Sequence, residues 1–510
     1  MGEIPLRGFG RHKISKAEWC FRPGNPWRSS QAVRRKRKNE LVSIAPTYSA
    51  HKLAIVLGLA CLLGSQARST FAQSPGQAEF ISVAAARPIL NNLKESLPPD
   101  LREDGPLDAP RWLEWVQRKD REVRDRLIRG QEDTLANLLR FGVTFTKEYQ
   151  IDDEFLARYG QSALVNSFAE NRATDLIRAW MAPAPSEGLI EMRSFVEKHG
   201  HLLKTAGQRS ETKKYLLANL ARLRDEYLKY KSQPKDDRRY QLFQDRGISL
   251  DTNLWPDYLL DSAFRALLEK GLLKPSGVRR IAVVGPGLDF VNKEAGNDFY
   301  PPQTIQPFAV LDSLLRLKVA AGPVELDTFD ISENVNLHIA RIRRAAAHGA
   351  SYTIQLPWNG ERPMSNEYRS NFVRYWQKIG DQIGEPAPPI PVPEAVASAQ
   401  TRAIRVRPDI VLKVRAFDLN VIYQRMAEPG AGGFDLVIAT NVFLYYGAFE
   451  QSLARANASA MLRPGGFLIS NDKLPDREPS KLEDVLEVPI VSSEQPFIQD
   501  FAFCYRRSDD

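Results

Sequence analysis

Five short stretches of this 510-residue chain place glycine, carboxylate or amide side chains where a ligand could be held. The first is the apolar run Ile281 to Val284 followed by Gly285, Pro286 and Gly287, then Asp289. Glycines after a buried strand let the backbone turn sharply and approach a ligand closely, because no Cβ stands in the way. The second runs from Val324 through Asp327 to Asp330 and Ser332. A carboxylate at a strand end accepts hydrogen bonds from two neighbouring ribose hydroxyls, and Ser332 suits the cap of a following helix. The third is Arg415 to Asn420, with Asp418 and Asn420 as polar ends. The fourth is Phe434 to Tyr446, in which an apolar strand delivers Thr440, Asn441, Tyr445 and Tyr446. The fifth, Leu462 to Asp472, ends a helix with Pro464, Gly465 and Gly466 and leads through a strand to Asn471 and Asp472.

These stretches need a parallel sheet to bring them together, and from Arg279 onward the pattern supplies one. Short β-branched runs alternate with helical stretches, as in βαβ units. Strands are predicted at Arg280–Val284, Val324–Phe329, Val411–Phe417, Phe434–Ala439 and Phe467–Ser470. Helices are predicted at Ile305–Ala320, Glu333–Ala347 and Ala448–Leu462, with two antiparallel strands, Val485–Val491 and Phe501–Arg506, closing the tail. An insertion of about residues 350–408 carries Tyr352–Trp358, Asn366–Ile379 and a proline-rich connection, Pro386 to Pro393.

The ordered set of glycine loop, two acidic strand ends, Phe434 strand and Leu462 to Gly466 turn resembles the class I S-adenosylmethionine (SAM) methyltransferases over about 230 residues. The resemblance implies an α/β fold: a Rossmann-like methyltransferase sheet over 278–507, here preceded by an all-α domain. It also implies a cofactor, SAM, held by Gly285, Gly287, Asp330, Asp418, Thr440 and Asn441. The glycine loop would run beneath the amino-acid part of SAM, and Asp418, or alternatively Asn420, would meet the adenine amino group. The Phe434–Asp472 portion also looks like the chemotaxis-receptor glutamate methyltransferases, although their first-loop sequence is absent and Thr440 stands where arginine is usual. A further departure is the stretch Val291 to Thr304 between the glycine loop and the next helix, which reads either as a lid or as a rebuilt pocket.

Methyl transfer from a sulfonium is an in-line displacement, so alignment and desolvation do most of the work. The acceptor, small molecule or protein, is not named by the sequence. Candidate groups near the strand ends are Asn441, Tyr445, Tyr446 and Asp472, with Trp358 and Asn359 of the insertion on the far side. His338 and His348 read as packing or surface residues on a helix. There is no nucleophile elbow, no P-loop and no metal-ligand spacing. The alternatives are a non-catalytic binding or scaffold protein on the same fold and a different nucleotide-binding enzyme. A dinucleotide needs a helix N-terminus for its pyrophosphate, and none follows the glycine loop directly.

The rest of the chain sets the context. Residues 80–270 read as helical; Leu216, Leu220, Leu223 and Tyr227 recur at helical spacing, and Gly130 and Gly160 interrupt two other patterns. Residues 1–72 hold thirteen Lys and Arg against three Glu, which accounts for more than the whole formal charge of +8 and leaves about −2 for the body. No nucleic-acid partner is indicated. Within that basic leader, Leu53 to Gly64 is an apolar run followed by small residues up to Ala72, which resembles a signal peptide and is too short to span a bilayer. Export is therefore expected, with a cytoplasmic or membrane-tethered protein as the alternative, and export sits uneasily with a cytosolic cofactor. No polytopic membrane domain is expected, and Cys20, Cys61 and Cys504 offer no disulfide within a processed chain.

Overall fold

The computed structural model describes residues 78–509 except 95–96, 103–106, 152–154, 157–161, 233–242, 245, 251, 253, 290–297, 360–365, 398, 428–431, 476–480 and 492–498. The leader, with its signal-like segment, lies outside the described residues, as do Gly160 and residues 291–297 of the stretch expected as a lid. Everything described belongs to one compact unit that begins at Ser69. Among the described residues no helix is long and apolar enough to cross a membrane.

Strand β1 (Ala78–Phe80) is followed by helix α1 (Val83–Asn92), which Ser82 caps by accepting the Ala85 amide at 3.2 Å. Helix α2 (Ala109–Phe141) starts at Asp108, whose carboxylate accepts the Arg111 amide at 3.0 Å, with Pro110 in the first turn. Its 33 residues make a rod about 50 Å long. It runs unbroken through Gly130, where an interruption was expected. Gly130 is instead the point at which another backbone touches the helix. Helices α3 (Ala163–Trp180), α4 (Glu187–Lys198), α5 (Ala206–Ser232) and α6 (Leu254–Glu269) follow. Leu216, Leu220 and Leu223 of α5 are buried, as their spacing requires, while the Tyr227 side chain lies outside the described residues.

The sheet then builds up as β2 (Val278–Val284), α7 (Gln306–Arg316), β3 (Ala320–Asp330) and α8 (Glu333–Ala347). The inserted stretch folds as β4 (Tyr352–Asn359), α9 (Asn366–Lys378), β5 (Gly384–Ala387) and β6 (Ala399–Val406), an antiparallel sheet in the order β4-β6-β5. The chain returns through β7 (Val414–Asp418), β8 (Gln424–Met426), β9 (Phe434–Ala439), α10 (Ala448–Met461), β10 (Leu462–Ser470), β11 (Leu482–Val491) and β12 (Gln499–Arg507). Strand β7 begins three residues later than expected, because Pro408–Val411 forms a helical turn. Helix α7 stops at Arg316, because Lys318 takes a left-handed φ of 57° and the chain has become strand by Ala320. Gly465 and Gly466 lie within β10, at a register break between Leu462 and Phe467.

The main sheet runs β11-β12-β10-β9-β2-β3-β7. Strands β7, β3, β2, β9 and β10 are mutually parallel, and β12 is antiparallel to both its neighbours. Read from β7, the first five strands follow the doubly wound order 3-2-1-4-5, so the order reverses between β2 and β9. Ligands of open α/β sheets bind outside the carboxyl ends of the strands at that reversal. This mixed α/β arrangement fits a Rossmann-like methyltransferase.

The buried residues of the helices that precede the sheet run on into those of the sheet. Trp112, Trp115 and Val123 of α2 share a buried cluster with Phe329 of β3 and Val437 of β9. Leu176 of α3 and Leu216 of α5 share the other with Ile281 of β2 and Leu326 of β3. Strand β1 pairs with β8 in a separate two-stranded sheet, where the Met426 amide meets Met461 of α10. Where an all-α domain was expected, the region therefore contributes one strand and a helical layer that reaches over the carboxyl ends of the sheet.

Candidate functional site

The glycine loop leaves β2 at the reversal point. Gly285 and Gly287 both hold left-handed φ, 62° and 73°, which a side chain would strain. Beside the loop, β3 ends in Asp330, which is 6% exposed. Its carboxylate accepts the Ser332 amide at 2.7 Å and also the Gly287 amide. Ser332 occupies the helix cap position without the side-chain bond expected of it, and Asp330 instead holds the amide of Ser332 itself. Burial pushes the Asp330 carboxyl up to about 7, against the two amides that favour its charge; nearby Asp418 adds to the rise and Arg124 opposes it.

These residues line one cleft, together with Phe329, Ile331, Leu419 to Ile422, Asn441, Val442, Tyr445 and Tyr446. Its other wall comes from the helical layer: Leu127 of α2 and the segment Ile248 to Leu250. The lining is mainly apolar, with Asp330 as its one carboxylate among the described residues. Counted out to its mouth the cleft holds about 560 Å³, of which only about 70 Å³ admits the centre of a water molecule. That is room for a few waters.

Of the predicted site residues, the cleft gathers Gly285, Gly287, Asp330, Asn420, Asn441, Tyr445 and Tyr446. Asn441 has a left-handed φ of 57°. Its amide group pairs with that of Asn471: Asn471 Nδ2 donates to Asn441 Oδ1 at 2.8 Å, and the Asn441 backbone amide donates to Asn471 Oδ1 at 2.7 Å. Asp472 does not line the cleft; its carboxylate accepts the Leu444 amide at 3.1 Å and so shapes the turn that carries Tyr445. Thr440, expected at the cofactor, stays off the lining, because its hydroxyl accepts Gln306 Nε2 at 2.8 Å in the interior. Asp418 is also off it. Its side chain is largely exposed and forms an ion pair with Arg124 of α2 at 2.8 Å. Asn420 takes the lining place, with its Nδ2 donating to Asp120 of α2 at 2.8 Å. Burial raises the Tyr446 hydroxyl above its ordinary value, so it stays protonated.

Trp358 packs against Phe372 and Trp376 in the core of the insertion, away from the cleft, and the Asn359 side chain lies outside the described residues. His338 is buried against the Tyr352 hydroxyl at 3.0 Å, and burial lowers it to about 4. His348 bonds the Arg344 carbonyl on the surface. His338 is thus a packing residue and His348 a surface one. The described end of the stretch expected as a lid is anchored elsewhere: Asp298 accepts the Val143 and Thr144 amides, and Gln303 exchanges bonds with Gln355. The segment that does cover the cleft, Arg246 to Leu250, carried no recognisable motif; its only signal is Gly247 set against Gly130, more than a hundred residues apart.

No protein-family model matches the chain, and no curated protein does. Among solved structures it is similar to the magnesium protoporphyrin IX methyltransferase of Synechocystis PCC 6803, at 9% identity, covering 64% of this chain and 100% of that one with a TM-score of 0.24. It is similar to the N-methyltransferase NodS of Bradyrhizobium japonicum WM9, at 12% identity, 48% and 97% coverage and a TM-score of 0.21. A third is a SAM-dependent methyltransferase of Clostridium acetobutylicum, at 10% identity, 49% and 91% coverage and a TM-score of 0.23. These structures lend no support to the narrower likeness to chemotaxis-receptor glutamate methyltransferases. What identifies the fold is the strand order of the chain itself.

Proposed function

We propose that the chain is a SAM-dependent methyltransferase with an acceptor still to be identified. The observation that carries this reading is Asp330, a buried carboxylate at the end of the second strand, beside a left-handed glycine loop at the reversal of the sheet. The donor set suits an adenosyl ligand. Asp330 would accept from the ribose hydroxyls, the Gly285–Gly287 loop would run beneath the amino-acid end, and Phe329, Ile331, Leu419 and Val421 offer an apolar slot for the base. Bound there, the cofactor would supply an electrophilic methyl group. Asn441, Tyr445 and Tyr446 then stand where an acceptor would approach. Their part is to orient it and exclude water, because a buried tyrosine held protonated is a poor base.

A second reading, a non-catalytic binding module on this fold, draws on one observation: the narrowness of the cleft, which ligand pockets of about 300 Å³ or more would not share. Calorimetric titration of the full-length protein with SAM, alongside Asp330→Ala, separates the two. Micromolar binding lost in the variant supports the enzyme; no binding by folded protein leaves the module. The leader is proposed, separately, as an export signal, to be checked by N-terminal sequencing of fractionated protein.

A further inference from the structure

We propose that Arg246 to Leu250 form a strap seated in the amino-acid end of the cofactor site, that the strap must lift before cofactor enters, and that Arg126 is its tie. The inference rests on the cofactor reading above. The strap lies on the glycine loop: the Leu250 carbonyl accepts the Leu288 amide at 2.9 Å, and a Cβ on Gly287 would stand 2.7 Å from that same oxygen. The loop glycine that the sequence assigns to a ligand is thus in contact with the chain's own backbone. Ile248 and Leu250 wall the cleft, and this is why so little of its volume is open.

The strap is held mainly by one side chain. Arg126 donates to the Arg246 carbonyl at 3.0 and 3.1 Å, to the Phe243 carbonyl at 3.0 Å and to the Tyr445 carbonyl at 3.1 Å. One guanidinium therefore joins α2, the strap and the Tyr445 turn, a geometry that its planar fork permits and a lysine cannot reproduce. Other bonds of the strap include Ile248 amide to Arg126 carbonyl at 3.2 Å, and Ser249 amide to the Tyr445 hydroxyl at 3.3 Å. Glycines make the seat close. A Cβ on Gly130 would fall 1.8 Å from the Ile248 carbonyl oxygen, and one on Gly247 would fall 2.2 Å from the Gly130 nitrogen. At its start the strap stays fastened, because Arg246 faces Glu226 at 3.5 Å and Asp133 at 3.8 Å. A short segment seated by a few such bonds opens as a unit below the cost of global unfolding. A site competent only when the strap is open binds its ligand more weakly by the open fraction.

The test is hydrogen exchange of the full-length protein, read by mass spectrometry on peptides spanning 246–250 and Leu288, with and without S-adenosylhomocysteine. The expectation is faster exchange there than at Val283 and Ile438. Arg126→Ala accelerates it at least tenfold with core exchange unchanged. Gly130→Ala, which pushes the strap from its seat, does the same without touching the tie. S-adenosylhomocysteine deprotects the strap in the native protein and binds Arg126→Ala at least tenfold more tightly. Exchange as slow as in the core and indifferent to both substitutions overturns the strap, as does ligand that protects it. Faster exchange in the variants with no ligand bound by any of them upholds the strap and overturns the cofactor reading.

Discussion

The two ends of the parallel strands treat buried charge in opposite ways. At the amino end, Asp435 at the start of β9 accepts the Arg279 and Arg280 amides at 2.7 and 2.8 Å and pairs with Arg463. Asp327 pairs with Arg415 at 2.7 Å, and Arg415 reaches Glu325 at 2.9 Å. Each of these three carboxylates has a cation. At the carboxyl end Asp330 has amides instead, and its nearest cation, Arg124, is committed to Asp120 and Asp418. The same end holds Asn441 at positive φ and two left-handed glycines. Paired charge at one end holds the strands in register. Left-handed backbone occurs at both ends, at Lys318 and Gly322 as well as at Asn441, so the underpaired carboxylate is what marks the other end as a site.

If that contrast is right, Asp435→Ala has the largest effect on stability, about 3 kcal/mol or more in denaturant unfolding, because it leaves two amides and a guanidinium without their acceptor. A loss under about 1 kcal/mol would break the comparison. Next comes pH. The carboxyls of Asp257 and Asp330 are raised to about 7, and that of Asp312 to about 6, from an ordinary 3.8. An acid with a raised folded value holds its proton in the fold after the unfolded chain has lost it. Its contribution is greatest below pH 4 and is lost as pH climbs toward 7. His338, lowered to about 4, works the other way between 4 and 6.5, but three acids outweigh one histidine. Stability in denaturant unfolding should therefore fall from pH 4.5 to 7.5, by on the order of 5 kcal/mol. In the cofactor reading, affinity rises over the upper part of that range as Asp330 ionises and accepts from both hydroxyls.

Gly287→Ala compared with Gly322→Ala sharpens the contrast further. Both glycines have positive φ, 73° and 78°, and so share a strain of about 1–2 kcal/mol. Gly322, at the amino end of β3, has open space where a Cβ would go, whereas Gly287 meets Leu250. The Gly287 variant should lose more stability, and the difference measures the strap contact. Smallest is Asp418→Ala, which removes an exposed partner of Arg124 and should cost less than about 1 kcal/mol.

Much of the sheet was legible in the sequence, because β2, β3 and β9 are apolar runs bounded by glycine or a carboxylate, and the residues that end them are the ones that meet in the cleft. The choice between Asp418 and Asn420 was not legible, since it depends on Arg124 and Asp120 arriving from a helix about 300 residues earlier. Thr440 was misplaced because a strand-end hydroxyl reads alike whether it faces a ligand or, as here, Gln306. The strap was hidden for a similar reason. Its role comes from touching Gly130 and Gly287 across the fold, and nothing in Arg246 to Leu250 announces that locally.

The measurement that bears most directly on the central claim is a crystal structure of the full-length protein with S-adenosylhomocysteine. The account expects both ribose hydroxyls within hydrogen-bond reach of Asp330 and the Leu250 carbonyl displaced from the Leu288 amide. Ligand bound away from Asp330, or crystals grown at saturating ligand with the strap still seated and the cleft unfilled, would contradict it.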